Sequence, residues 1–495
     1  MADTGLPART RRRVRWDAVL GAVLLAAYGA FLVRHAAFAV GGADSSGYAN
    51  EARRMKTGAL VDRPRSLDRL GLPDGMAQIC IPLGFVTGPR PGTMASTYPP
   101  GFPAHLLAAG SLAGWRLGPY LVSPVAAMLT VFLVFLLGRD LGLSRLSAGA
   151  AAAIFAAWPV FLFQALQPMS DAVATLWSVA AILFARRASH RSTWAFLAGA
   201  AFGIAVLVRP ADALLALPLA FALSVAPRAL ALFAAGGIPF AGALAAYDLH
   251  TFGSVVESGY GKLGLLHEMA LRQFPPRIAY YGAWVIESLT PLVPLAWLAL
   301  PADRRVPIRD RWLLLSWFGS FLLFYSFYKP YESFIYVRFL LPGAPAIVLG
   351  AALVASSLLI HTGRARRWLG GIALAVVLCL EVRVSRRVGV LQIVSDQTIY
   401  PEICRWANTA LPRRSVLFTM QASGALEYYT DATYVVWVWV DGQRFRSLRP
   451  AIEGQGWQWF ALLFPDEQDG FFKQVPGTWT QIGERRGVTL WKLEP

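Results

Sequence analysis

Apolar residues in this chain come in long blocks, not in strand-like alternation or narrow amphipathic stripes. A bilayer core is crossed by roughly 20 apolar residues in helical form. Runs approaching that length lie at about 16 to 33, 119 to 137, 148 to 166, 171 to 185, 194 to 208, 211 to 225, 229 to 248, 283 to 300, 312 to 327, 341 to 360 and 368 to 384. The pattern predicts an α-helical polytopic membrane protein with about eleven transmembrane helices. Ala37-Phe38-Ala39 after the first run imitates a cleavage site. That run is longer than the usual signal-peptide core of about 7 to 15 residues, so it reads as an uncleaved anchor.

Three connections on one side are long, about 34 to 118, 249 to 282 and 328 to 340. An odd number of spans puts the tail from about 386 on that side too, dividing the chain into a membrane part, 1–385, and a soluble part, 386–495. In the tail, helical patterns "PEICRWANTAL" and "SGALEYY" alternate with strand-like "SVLFTM", "TYVVWVWV" and "WQWFALLF". A hairpin is expected around Arg486-Gly487, which makes the tail a small α/β domain.

Composition agrees with this reading: of 495 residues, 56% are hydrophobic and only 15% charged. The net charge of +17 would suit a nucleic-acid binder, but Lys and Arg recur in short clusters between apolar runs. No nucleic-acid partner is expected. The clusters are Arg9 to Arg15; Arg139 and Arg145; Arg186, Arg187 and Arg191; Arg228; Arg304 to Arg311; and Arg364, Arg366 and Arg367. All fall on alternate connections, so the positive-inside rule makes that face and the N-terminus cytoplasmic. The expected location is a bacterial-type plasma membrane with the tail outside. Cys80 and Cys404 share the outer side, which leaves a disulfide between them open, and Cys379 lies within a span.

The chain has no H-E-x-x-H, C-x-x-C, Walker A or G-x-S-x-G motif, and its six histidines are scattered. What remains for chemistry is carboxylates and arginines at the outer ends of spans: Asp44, Asp171, Arg209, Asp212, Asp248 and Arg338. Ionisable groups at membrane depth cost roughly 2.5 to 3.5 kcal/mol, so a ring of them on one face points to a polar cavity opening outward. Structural readings stand beside this one. Asp171 suits the first turn of a helix, Arg209 suits an interfacial anchor, and Asp44 suits a cap for a helix starting near Ser46. Glu51, Arg53 and Arg54 read as a solvated helix face, and Gly41 to Gly47 as small residues that leave room for a bulky acceptor.

An ordered set of segments resembles the GT-C glycosyltransferases, closest to the branch of protein O-mannosyltransferases and aminoarabinose transferases. These are Asp44-Ser45-Ser46-Gly47-Tyr48, Tyr98-Pro99-Pro100-Gly101, "QPMSDAVATLWSVAA", "LVRPADALLALPLA" and "RFLLPGAPAIVLGAALV". The resemblance implies an enzyme moving a sugar from a polyprenyl phosphate to an acceptor outside, which is a lipid, a glycan or a protein. Membrane lipid surrounds it. The resemblance makes Asp44 the catalytic carboxylate, with Asp171 the next to consider. Where many members have a second acid after the first, this chain has Ser45, which weighs against metal binding by this motif and against a two-carboxylate scheme; a divalent cation elsewhere stays open as a cofactor.

A leaving lipid phosphate needs positive charge nearby, for which Arg offers a bidentate fork and Lys a point charge. The candidates are Arg338 and Lys329 first, in "YKPYESFIYVRFLLP", then Arg209 and Lys262. Tyr48, Tyr98, Tyr331 and Glu332 are candidates to line the substrate cavity. Two other classes remain: a lipid-linked sugar flippase or transporter, and a non-catalytic envelope assembly protein whose tail binds glycan. A reporter fused at the C-terminus is expected to report an outside location, and activity confined to the cytoplasm would overturn this topology.

Overall fold

The computed structural model describes residues 16–223, 225–329, 332–359 and 364–495, the side chains of 16–18, 266, 359 and 364–367 apart. Arg9 to Arg15, Tyr331 and the side chains of Arg364, Arg366 and Arg367 therefore lie outside the described residues.

Every apolar block is helical, but not every block is one helix. Trp16–Arg34, Gly118–Asp140, Ser170–Arg187, Thr193–Val208, Pro227–Phe252, Ile308–Ser326 and Arg364–Arg387 are continuous. The run expected at 148 to 166 is a pair, Arg145–Ala157 and Pro159–Ala165, bent by 65°. Those expected at 283 to 300 and 341 to 360 are likewise bent, by 118° and 77°. Proline stands at each break, as Pro159, Pro291 and the pair Pro342 and Pro345, because it disfavours α geometry in the residue before it. Trp158 (ψ 121°) and Thr290 (ψ 158°) have left that geometry.

Among the described residues, three helices are long and apolar enough to cross a membrane, or up to six if each bent pair is one span. Length and composition thus establish fewer spans than the eleven expected. Several runs are kinked, and others, such as Thr193–Val208, are short. Two of the helices cross at glycines. A Cβ on Gly199 would lie 1.8 Å from the Phe233 carbonyl oxygen, and one on Gly236 2.0 Å from that of Phe196. Small residues at a crossing let two backbones touch, and this crossing fixes the helix Thr193–Val208, which leads into Arg209.

The first long connection is folded. It contains a helix, Gly42–Thr57, which we call the loop helix, then strands β1 (Val61–Asp62), β2 (Phe85–Thr87) and β3 (Met94–Ser96) in the order β1-β3-β2. The helix Gly101–Ala113 follows, with Pro100 at its N-cap. The connection expected at 249 to 282 is shorter than foreseen, since the helix Phe274–Leu289 begins inside it.

The tail carries β4 (Ser415–Thr419), β5 (Thr433–Val436), β6 (Gln458–Leu463), β7 (Trp479–Arg485) and β8 (Val488–Leu493) in the order β5-β4-β6-β8-β7. The pairs β4–β5 and β4–β6 are parallel, and β8 is antiparallel to β6 and β7. The hairpin turns at Arg486 (φ 52°) and Gly487 (φ 81°), as a two-residue turn with two positive φ angles requires. Alternate β4 residues face opposite ways. Val416 and Phe418 share one core with Leu67, Leu70 and Cys80 of the first connection, while Leu417 shares the other with Cys404. Cys80 and Cys404 are therefore buried free thiols on opposite faces of one sheet, and no disulfide joins them.

Phe418 is fully buried and stacked on Trp459 at 4.9 Å. Phe418→Ala is expected to cost about 3–5 kcal/mol. A drop in the tail's Tm, followed by tryptophan fluorescence, checks it, and an unchanged Tm would contradict this packing.

Candidate active site

Gly41 is extended (φ −155°) and Gly42 has φ 61°, so the chain turns sharply into the loop helix. Asp44 falls in the first turn. The partial positive charge of a helix N-terminus favours a carboxylate there. Asp44 is not a cap, because the helix starts earlier than Ser46 and the cap position, Gly41, makes no side-chain bond.

Three distant segments bring partners to it. Arg338, in the 3-10 turn Phe334–Leu340, places Nη2 2.6 Å from Asp44 Oδ2. The Tyr98 hydroxyl donates to Asp44 Oδ1 at 2.7 Å. Arg338 Nη1 also lies 3.9 Å from Oδ2 of Asp171, in the first turn of Ser170–Arg187. Arg209, just past the end of Thr193–Val208, donates to the other Asp171 oxygen. The charges alternate along the line Asp44, Arg338, Asp171, Arg209. Asp212 follows, its Oδ2 accepting from Ser178 at 3.3 Å and its Oδ1 unpartnered among the described residues.

Exposure is graded along this line. The Asp44 side chain is 29% exposed, that of Arg338 14% and that of Asp171 2%. Asp44 is thus the member that an incoming molecule can reach. Burial pushes its carboxyl upward, but Arg338, the Tyr98 hydroxyl and Arg209 outweigh this and hold it below the usual range. Arg338 Nε is a buried donor without a partner among the described residues.

Aromatic rings wall the cluster. Tyr48 packs on Tyr98 at 4.3 Å and on Phe102 at 4.9 Å, and its hydroxyl meets Ser170 Oγ at 3.0 Å. The Tyr98 ring fills the space beside Gly47, where a Cβ would sit 2.3 Å from it. A Cβ on Gly41 would strike Tyr400, and Gly424 of the tail sits against Ser46. The small residues around Asp44 therefore admit the protein's own side chains and tail, which corrects the expectation that they leave room for an acceptor.

Other expectations are corrected as well. Lys329 and Lys262 are exposed and are not drawn into the cluster. In the short helix Gly259–Lys262, Tyr260 turns inward to the Tyr98 ring at 6.3 Å, and a residue two positions on faces away from it. Glu332, with its side chain 79% exposed, pairs with Arg277 at 3.4 Å instead. Tyr331 lies outside the described residues. Glu51, read as part of a solvated face, is 1% exposed. Its spacing of seven residues from Asp44 was the available signal, since positions seven apart share a helix face.

Among the described residues no group of three or more His, Cys, Asp or Glu side chains comes together. The oxygens of Asp44 and Asp171 are committed to Tyr98, Arg338 and Arg209. A cavity of about 480 Å³ beside Arg191 and Trp194 opens at the other end of the helix that leads to Arg209, away from this chemistry.

No protein-family model and no curated protein matches the chain. Solved structures do. The ArnT structure from Cupriavidus metallidurans bound to undecaprenyl phosphate is 13% identical with a TM-score of 0.59, over 96% of this chain and 98% of that one. The Archaeoglobus fulgidus oligosaccharyltransferase tethered to an acceptor peptide is 12% identical with a TM-score of 0.59, over 92% and 70%. The arabinofuranosyltransferase AftD from Mycobacteria is 15% identical with a TM-score of 0.53, over 97% and 40%. Such identities establish architecture, and the chain has the fold of the membrane-embedded GT-C glycosyltransferases.

Proposed function

We propose that this protein is an integral membrane glycosyltransferase that takes a sugar from a polyprenyl-phosphate donor and gives it to an acceptor hydroxyl outside the cytoplasm. The observation that carries this reading is the partly accessible Asp44 paired with Arg338 at 2.6 Å at the end of a line of alternating charges. One group can take a proton and the next can meet an anion. The likeness to structures holding undecaprenyl phosphate and an acceptor peptide supports a lipid-linked donor and an outside acceptor. The basic clusters support the orientation, since Arg186 and its partners Asp140 and Asp310 mark the opposite end of the helix Ser170–Arg187 from Asp171.

The chemistry is a direct displacement. The acceptor oxygen forms a bond to the anomeric carbon, its proton passes to the Asp44 carboxylate, and the bond from that carbon to the phosphate oxygen breaks with its electron pair. Configuration inverts. A lipid phosphate leaves as a stable anion, so no acid is needed to protonate it, in contrast to the two-carboxylate scheme of glycoside hydrolysis. Arg338 receives the phosphate charge through its fork. As the phosphate draws on that guanidinium, its hold on Asp44 weakens and the carboxylate becomes a stronger base. Donor binding thereby prepares the base.

Purified protein supplied with labelled polyprenyl-phosphate sugar tests the reading. Transfer supports it, whereas movement of intact lipid across the bilayer would mark a flippase. Asp44→Asn is expected to fold and bind donor but to lose transfer by at least about 10²-fold, and near-normal turnover would remove Asp44 from this role. Arg338→Ala is expected to weaken donor binding and slow transfer together, with Arg338→Lys restoring only part. The acid limb of kcat/KM should lie below the ordinary aspartate value of about 3.9. In Arg338→Ala it should move to higher pH, because the lost cation no longer favours the anion; an unmoved limb would show that the pair is not part of the base.

A further inference from the structure

Glu51 lies on the loop helix two turns beyond Asp44 and is almost fully buried. Its Oε2 meets Ser96 Oγ at 2.6 Å and its Oε1 meets the Tyr247 hydroxyl at 2.7 Å. Both partners also hold Tyr98. Ser96 Oγ accepts from the Tyr98 backbone N–H at 3.2 Å, and the Tyr247 hydroxyl lies 3.2 Å from the Tyr98 carbonyl oxygen. The Tyr98 phenol then reaches back to Asp44 at 2.7 Å. Tyr247 belongs to the membrane helix Pro227–Phe252, so the ring of bonds ties the loop helix, the end of β3 and that helix together.

Hydrogens decide the protonation state of this ring. Tyr247 has one hydroxyl hydrogen and two acceptors within reach, Glu51 Oε1 and the Tyr98 carbonyl. If Glu51 is a neutral acid, its O–H donates to Tyr247, Tyr247 donates to the carbonyl, Ser96 donates to the remaining Glu51 oxygen, and the Tyr98 N–H donates to Ser96. Every contact then has its own hydrogen. If Glu51 is ionised, the Tyr247 hydrogen is claimed by the carboxylate and the buried carbonyl loses its partner, an outcome that costs about 1–3 kcal/mol. Among the described residues no basic side chain is ion-paired with Glu51. The ionisable side chain in contact with it is the Tyr247 phenol, with Asp248 acting on Tyr247 from the same helix. Burial pushes the Glu51 carboxyl up to about 8, against the pull of the Ser96 and Tyr247 hydrogen bonds.

We propose that Glu51, as the neutral carboxylic acid, is a positioning residue that clamps the Ser96–Tyr98 turn so that the Tyr98 phenol is held on Asp44. It touches no substrate. This rests on the reading of Asp44 as the base, which feels Arg338, Arg209 and the Tyr98 hydrogen bond, with the Tyr48 and Tyr260 phenols close by. The clamp preserves one of the bonds that set the proton affinity of Asp44.

The test is the pH profile of sugar transfer. Tyr98→Phe should move the acid limb of kcat/KM to higher pH, because the anion loses a donor. Glu51→Ala should move it the same way, and the double variant should move it no further, since both act through one bond. Glu51→Gln imitates the neutral acid, donating through its amide N–H and accepting through its oxygen. It should transfer within about twofold of the parent and leave the acid limb where it lies in the parent. A Glu51→Gln variant as impaired as Glu51→Ala would overturn the neutral clamp. So would a Glu51→Ala variant with an unmoved limb while Tyr98→Phe shifts it. Should Glu51→Ala fail to insert, Ser96→Ala and Tyr247→Phe remove the partners singly and should each give part of the shift, and no shift in either overturns the proposal. If the limb persists unchanged in both Asp44→Asn and Tyr98→Phe, the base assignment itself has failed, which is a distinct result.

Discussion

The ion pair between Arg338 and Asp44 is the contact on which the arrangement of the charged cluster depends. In a chain this apolar, a carboxylate or guanidinium away from water costs several kcal/mol unless an opposite charge meets it. Asp171, with almost no exposure, is tolerable because Arg209 donates to one oxygen and Arg338 stands near the other. Arg338 in turn divides itself between Asp171 and Asp44. The line therefore ends in a carboxylate with only one guanidinium and one phenol on it, at the position with most access. The proposed transfer, which exchanges a proton and receives an anion, calls for such an end member, neutralised enough to exist and loosely enough held to change partners.

The loop helix that carries Asp44 is held from the opposite side by the tail. Asn50 donates to the Gly424 carbonyl at 2.9 Å, Arg54 pairs with Glu427 at 3.3 Å, and Arg65 pairs with Glu427 at 2.9 Å and Asp431 at 3.2 Å. Tyr429 accepts from the Val40 backbone just before the helix. Leu67, Leu70 and Cys80 complete one of the two cores of the tail sheet. A helix of this length is marginal alone in water, and no short loop around it could hold a side chain to within hydrogen-bond distance. The tail and the membrane helix Pro227–Phe252 grip it between them, which is how a residue on a long connection comes to be as well placed as one on a span.

Much of this was legible in the amino-acid order. Apolar run length gave the membrane class, alternating Arg clusters gave an expected orientation, and Asp44, Asp171, Arg209 and Arg338 stood out as ionisable residues at the ends of apolar runs. Such residues are costly there, so their presence carries information that a charge in a soluble segment does not. The tail strands were visible from β-branched and aromatic runs, and the Arg486-Gly487 turn from the residues between them. Its helices Gly442–Glu453 and Pro465–Gln474 were not foreseen, because they pack on the sheet through only a few apolar residues each.

What tertiary structure alone decided is the direction in which each of these residues faces. Lys329 and Arg338 share one short loop, yet only the arginine is tucked inward, on a 3-10 turn. Glu51 stands beside Arg53 and Arg54 in a polar stretch that looks solvated, and it is buried because Ser96 and Tyr247, 45 and 196 residues away, close over it. Run length, sign of charge and proline placement are properties of neighbouring residues, so the sequence states them directly. Burial and pairing belong to surfaces brought together from distant parts of the chain. Periodicity says which positions on a helix share a face, but not whether that face meets water, a tail domain or another charge.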